Sequence, residues 1–191
     1  MNKQKQLSEV IELWKVNKKQ YVKKSSFSAY TLLIENHIIP IFGKAFIIEE
    51  TDVQNFVLKK LETGLSHKTI KDILIVLKMI LKFGAKNKWF DYTPFDIQYP
   101  TEREKYSLEV LTKSDQKKIM NYIQEHFTFR NLGVYICLSA GMRIGEVCAL
   151  TWEDVDTDNG IISVNQTIQR IYVIEEGVRK TELILDTPKT K

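Results

Sequence analysis

The chain has 191 residues, 43% hydrophobic and 27% charged, with a formal net charge of +4. That balance supplies apolar material for one large or two small domains and excludes collagen-like, low-complexity and disulfide-rich chains. Charge interrupts every long apolar run, as Lys78 and Lys82 do between Ile73 and Phe83, so no stretch reaches the roughly 18 uncharged residues of a membrane span. Met1 to Gln6 is polar and basic with no apolar stretch behind it, so no secretory signal is expected and the cytoplasm is the expected compartment.

The charge is unevenly distributed. Residues 1–105 hold 18 Lys and Arg against 12 Asp and Glu, whereas residues 106–191 hold 10 against 12. A basic N-terminal half suggests an anionic partner, with nucleic acid the commonest candidate; a solvated lysine-rich surface is the alternative.

In chain order, Leu7, Val10, Ile11 and Trp14 recur at i, i+3, i+4 and i+7, the apolar face of a first helix. After the basic run Lys23-Lys24-Ser25-Ser26, a second helix carries Tyr30, Leu33, Ile34 and His37 toward an expected stop at Pro40, with Gly43 beyond. Thr51 and Gln54 have the spacing of a capping box for a third helix ending at Gly64. Ser66 caps a fourth, in which Ile70, Ile73, Leu74, Leu77, Ile80 and Leu81 form a broad apolar stripe. These four helices make a helical domain over residues 1–97.

The periodicity lapses between Thr93 and Ser107, where Pro94 and Pro100 break helices and residues 102–105 are wholly charged; a linker is set at residues 98–107. In the second domain, 108–191, Thr112 and Asp115 start a helix with Ile119, Tyr122 and Ile123 on one face. Another runs through Leu132 to Leu138 until Gly141 breaks it. Residues 161–164, 168–174 and 183–185 are β-branched or apolar runs with Glu175-Glu176-Gly177 as a hairpin turn. The fold class is therefore mainly α with a small antiparallel β-sheet. Cys137 and Cys148 lack the spacing of a zinc site and lie in apolar stretches, so both are expected as reduced core residues. Neither metal nor cofactor is expected.

The densest chemical signal runs from Leu138 to Asp156. Gly141 permits a sharp turn that puts Arg143 near the start of the next helix, where free N–H groups and the helix dipole favour an anion. Arginine's planar fork suits a phosphate, and Glu146, three residues on, lies on the same face and can hold the guanidinium. From spacing alone an ordinary surface ion pair at i, i+3 is the favoured reading.

Leu138, Gly141, Arg143, Glu146, Leu150, Trp152, Asp154 and Asp156 stand in the order Leu-x-x-Gly-x-Arg-x-x-Glu-x-x-x-Leu followed by Trp-x-Asp-x-Asp. This stretch resembles the first arginine box of the tyrosine recombinase (phage integrase) family. The N-terminal half, from the Tyr30 helix through residues 37–43 to residues 64–69, is similar to that family's core-binding domain. The resemblance implies a helical SAM-like core-binding domain followed by the N-terminal part of an α+β catalytic domain.

It also implies a chemistry. Such enzymes cut and rejoin DNA by tyrosine attack on the scissile phosphate, through a 3′-phosphotyrosyl link and without a metal. Arg143 maps to the first catalytic arginine, Glu146 to its supporting acid, and Lys189, with Lys191 second, to the hairpin lysine that protonates the leaving 5′-oxygen. Phosphate-type contacts are expected from Lys23, Lys24, Ser25, Ser28, Tyr30, Ser66, Lys68, Thr69 and Lys71, on double-stranded DNA held in a two-domain clamp.

The sequence departs from the family in its second half. None of His37, His67 and His126 is followed three residues later by arginine, so no His-x-x-Arg box is present, and all eight tyrosines precede the lysine segment. The histidines are expected to be structural or surface residues. Residues 1–191 are therefore expected to bind DNA without cleaving it alone, to lack an arm-site module, and to assemble weakly, although the family works as a tetramer. A non-catalytic DNA-binding protein occupying recombination sites, or a helical transcription regulator, are the other readings.

Overall fold

The computed structural model describes residues 4–100, 109–175 and 177–188. The chain divides into two compact units, Met1–Lys105 with Ile174–Arg179, and Tyr106–Val173 with Lys180–Lys191.

The first unit opens with α1, Leu7–Lys18, whose Glu9 carboxylate accepts the N–H of Gln6 at 2.9 Å and so satisfies an orphan donor at the helix start. Its expected face is the buried one: Leu7, Val10, Ile11 and Trp14 all enter the core. α2, Lys24–Leu33, runs straight into a π turn, Ile34–Ile38, and then α3, Ile39–Phe42. The expected stop at Pro40 does not occur. A proline inside an α-helix collides with the carbonyl four residues back. Here Ile39 N–H bonds to Ile34 O, five residues back, and the widened turn takes the proline without ending the rod. The π turn is tied to α1 by Lys15, whose Nζ bonds Glu35 at 2.6 Å and Glu12 at 2.9 Å. Burial pulls the Lys15 ammonium down, but the two carboxylates outweigh it and hold its pKa above the usual lysine value.

α4, Glu50–Glu62, is capped two residues earlier than the Thr51/Gln54 pairing suggested, with Glu49 N–H donating to Asp52 Oδ2 at 3.0 Å. Gly64, at φ +84°, then turns the chain into α5, His67–Lys86, where Ser66 Oγ accepts Thr69 N–H at 3.1 Å. Ile70, Ile73, Val76, Leu77, Ile80 and Leu81 of α5 pack against α1, the π turn and α4 to form the core.

Gln54 does other work. Its amide accepts Gln98 N–H at 3.0 Å and donates to Gln98 O at 2.9 Å, while Glu50 accepts Asp96 N–H at 2.8 Å. These bonds strap the helix-free segment after α5 onto the unit, with Phe90, Tyr92, Phe95, Ile97 and Tyr99 laid against the core. Gln98 and Tyr99, at the start of the expected linker, are thus docked; residues 101–108 of that linker lie outside the described residues.

The second unit contains α6, Lys113–Glu125, α7, Phe129–Ala140, and the single-turn α8, Ile144–Val147. A 3-10 turn at Trp152–Asp154 leads to β1, Val155–Asp156, which pairs antiparallel with β2, Ile161–Ile162. β3, Thr167–Glu175, and β4, Val178–Asp186, form a second two-stranded sheet, longer than the expected runs. Glu176 of the expected hairpin turn lies outside the described residues, and Gly177 has φ +78°. Among the described residues few apolar side chains of this unit are buried: Ile123 and Ile171 are, whereas α7 buries none. For that reason the expectation of two core cysteines fails. Cys137 is half-buried on α7 and Cys148 is exposed just past α8, and both are free thiols.

A Cβ built on Gly84 would run into the Phe90 ring that opens the strap. Gly84→Ala should therefore lower stability by about 1–3 kcal/mol in urea denaturation, against alanine's own helix preference, by displacing Phe90.

Candidate functional site

Gly141 ends α7 in the left-handed region, at φ +67°, and the chain re-enters helix at α8 with Arg143 as the extended residue before it. Glu146, on α8, turns its carboxylate back to grip Arg143 twice. Oε2 accepts the backbone N–H of Arg143 and Oε1 accepts its Nη1, each at 2.9 Å. The two ends of this pair differ in exposure: the Glu146 side chain is 9% exposed and that of Arg143 is 68% exposed. A buried anion thus holds a guanidinium that faces solvent.

α8 is one turn long, and the Arg143 N–H at its start is taken by Glu146. The Arg143 N–H and then its guanidinium stabilise the Glu146 carboxylate and hold its pKa below the usual glutamate value.

The rest of the motif shapes the backbone that follows. Asp154 accepts Thr151 N–H at 3.0 Å, Thr151 Oγ1 at 2.9 Å and Asn165 Nδ2 at 3.1 Å, closing the 3-10 turn and tying it to the segment before β3. Asp156 accepts Asn159 Nδ2 at 2.7 Å and the N–H groups of Asn159 and Asp158 at 3.0 and 3.1 Å, which forms the β1–β2 turn. These donors hold both aspartate pKa values down. Trp152 is 82% exposed.

The other sequence-predicted residues are placed as follows. Lys23 and Lys24 are exposed at the start of α2 and Ser25 is half-buried beside them. Ser28 is 8% exposed, on the inward side of α2, which removes it from the expected phosphate contacts. Tyr30 is half-buried with its ring 6.1 Å from that of Trp14. Ser66 and Thr69 are joined to each other, hydroxyl to hydroxyl at 2.9 Å, at the cap of α5. Lys68 is exposed, and Lys71 is exposed with Nζ 5.1 Å from the centre of the Tyr99 ring. Lys189 and Lys191 lie outside the described residues.

α5 also carries a row of which the sequence reading named only Lys68 and Lys71. Lys68, Lys71, Lys78, Lys82 and Lys86 are all exposed and recur every three to seven residues on the face opposite the core stripe, with exposed Ile75 among them. Lys78 and Lys82 registered only as interruptions of an apolar run; their helical period was the available signal.

The histidines take structural places. His37 is half-buried in the π turn, its buried Nδ1 without a partner, and burial together with Lys60 pushes its pKa down. His67 lies edge-on to Tyr99, and His126 stacks on Tyr122 at 4.3 Å. Among the described residues no group of three or more His, Cys, Asp and Glu side chains is placed to hold a metal, and no helix is long and apolar enough to cross a membrane.

Comparison with known proteins adds the following. Residues 6–61 match the phage integrase N-terminal SAM-like domain, and residues 109–181 match the phage integrase family. A tyrosine recombinase XerC-like protein of Caldanaerobacter subterraneus subsp. tengcongensis is 30% identical over 180 residues, 88% of this chain and 45% of that protein. The ICEBs1 integrase of Bacillus subtilis is 27% identical over 164 residues, 83% of this chain and 42% of its own length. The chain thus spans a little under half of these relatives. A structure of the Tn1549 transposon integrase in complex with a circular intermediate DNA superposes with a TM-score of 0.73 at 23% identity, covering 97% of this chain and 58% of that one.

Because the folded Glu146 pKa lies below its unfolded value, the clamp's stabilisation is complete above the ordinary glutamate range and is lost as pH falls through the lower, folded value. Glu146→Gln should loosen the turn at neutral pH and remove the acid dependence of its local stability below about pH 4.3, measured by amide hydrogen-exchange protection of Val147 and Cys148, whose N–H groups bond Arg143 O and Ile144 O.

Proposed function

The chain belongs to the tyrosine recombinase (phage integrase) family, and we propose that residues 1–191 form its DNA-binding part together with the first portion of its catalytic site, for site-specific cutting and rejoining of double-stranded DNA. Residues 1–97 serve as the core-binding domain and residues 108–191 as the beginning of the catalytic domain. The observation that carries this reading is the Arg143–Glu146 clamp: a buried carboxylate preorganises an exposed guanidinium. Such a donor is suited to a phosphate whose charge grows in the transition state, because it needs no reorganisation when that charge develops. Arg143 is the phosphate-binding group and Glu146 the residue that positions it.

In the full reaction a tyrosine hydroxyl attacks the scissile phosphorus, the 3′-phosphotyrosyl bond forms, and the 5′-oxygen leaves with a proton, for which Lys189 is the proposed donor. The attacking tyrosine and the His-x-x-Arg box are not among residues 1–191. The role assigned to these residues is therefore binding and partial transition-state stabilisation, with no cleavage by them alone. Loss of an electrostatic donor such as Arg143 costs on the order of 3 kcal/mol of barrier in a complete active site.

Phosphate contacts along the duplex are assigned to Lys23, Lys24 and Ser25 on α2 and to Lys68, Lys71, Lys78, Lys82 and Lys86 on α5. Ser66 and Thr69 support the start of α5, and Tyr30 packs α2 against Trp14 of α1. The basic N-terminal half supports this assignment, since phosphate neutralisation releases condensed counterions and drives association.

Two measurements test the reading. Anisotropy titration of a fluorescent duplex should show affinity falling roughly 5,000-fold between 50 and 200 mM salt, as for about seven phosphate contacts, and Lys78→Ala/Lys82→Ala should reduce the log–log salt slope by about 2. Salt-independent binding would overturn the electrostatic footprint. Arg143→Ala should weaken binding by about tenfold, the scale of one charged hydrogen-bonding group. A nicked suicide substrate should yield no covalent adduct with residues 1–191; an adduct would overturn the assignment of cleavage to residues beyond them.

A further inference from the structure

Four glycines, Gly64, Gly141, Gly160 and Gly177, occupy positive φ, where any side chain is strained. Gly145 does not. What sets it apart is space: a Cβ built there would lie 2.7 Å from Thr167 Oγ1 and 2.8 Å from Ile168 O. Neither neighbour can yield easily. Ile168 O is backbone, and Thr167 is itself buried at the start of β3.

We propose that Gly145 is a positioning residue for the Arg143 site: the close approach of α8 to β3 across it fixes where the guanidinium is presented. Gly145 sits between Arg143 and Glu146 on a four-residue helix. A displacement of α8 from β3 moves the Glu146 carboxylate relative to the residue it grips. Two bonds of 2.9 Å from one carboxylate to one arginine leave little tolerance for such a shift. β3 continues into β4, which ends at Asp186, three residues before the proposed general acid Lys189. The seam thus joins the arginine-bearing turn to the strand pair that leads toward the lysine.

A neighbouring glycine provides the control. A Cβ on Gly133 of α7 would meet Val147 Cγ1 at 3.8 Å, an ordinary contact. Gly133→Ala adds the same methyl beside α8 without closing the seam.

The inference rests on the reading of Arg143 as a phosphate-binding group, but the seam can be read without DNA. The experiment is a 13C-carboxyl NMR titration of Glu146 in the 191-residue chain, parent against Gly145→Ala and Gly133→Ala, followed by the duplex titration above. With Gly145→Ala the Glu146 midpoint should rise toward the ordinary glutamate value and duplex affinity should drop by about the tenfold of Arg143→Ala; Gly133→Ala should leave both unchanged. A folded Gly145→Ala protein with the parent Glu146 midpoint would overturn the proposal.

Should Gly145→Ala fail to fold, Thr167→Val decides, since it sets a methyl in place of the hydroxyl over Gly145 while keeping the side-chain shape. A Glu146 midpoint that rises supports the seam, and one that stays overturns it. A midpoint that moves while neither Gly145→Ala nor Arg143→Ala alters duplex affinity supports the seam and overturns the phosphate reading.

Discussion

One carboxylate gripping one residue at two points shapes the turn on which the candidate site depends. Glu146 accepts both the backbone N–H and the guanidinium of Arg143, so the same ion settles the entry angle of α8 and the direction of the arginine. The arrangement tolerates burial of the anion because its charge is fully engaged, by a formal positive charge and by a peptide dipole. It also explains why a helix of a single turn persists where chain propensity alone would not hold one. The surrounding elements serve that turn: Gly141 reverses the chain into it, Gly145 lets it sit against β3, and Asp154 with Asn165 fixes the segment that returns.

The N-terminal helices were legible in the residues because each depends on a local pattern. Leu7, Val10, Ile11 and Trp14 declared their face by spacing, and Ser66 declared the start of α5, since both signals are carried within one or two turns. Pro40 misled because its effect depends on the turn before it. The π turn moves the obstructing carbonyl, and no short-range rule registers that extra residue. Thr51 and Gln54 had the spacing of a cap, yet Asp52 served Glu49 instead, and Gln54 was drawn off by a backbone 44 residues away. Long-range partners of that kind leave no periodic trace.

At the site, Arg143 and Glu146 were found from their motif, and their i, i+3 spacing is the one that the clamp uses. The exposure difference between them is a tertiary property and could not be read in advance. Gly145 escaped notice because a glycine needed for close approach looks in sequence like any other, and only the partner strand shows what would be displaced. Cys137 and Cys148 show the opposite error. An apolar neighbourhood in sequence becomes a core only where a second layer covers it, and among the described residues α7 has none of its side chains buried.

That uneven burial has a calorimetric meaning. The heat-capacity change of unfolding, and the cooperativity it accompanies, come from apolar surface withdrawn from water. Among the described residues sixteen buried hydrophobics form the cluster in the helical unit, against Ile123 and Ile171 in the other. A melting curve of the whole chain therefore reports on the helical unit and is nearly silent about the turn that carries Arg143. A substitution can leave the midpoint untouched and still undo the site, so thermal shift is a poor guide to which residues of this protein matter for its chemistry.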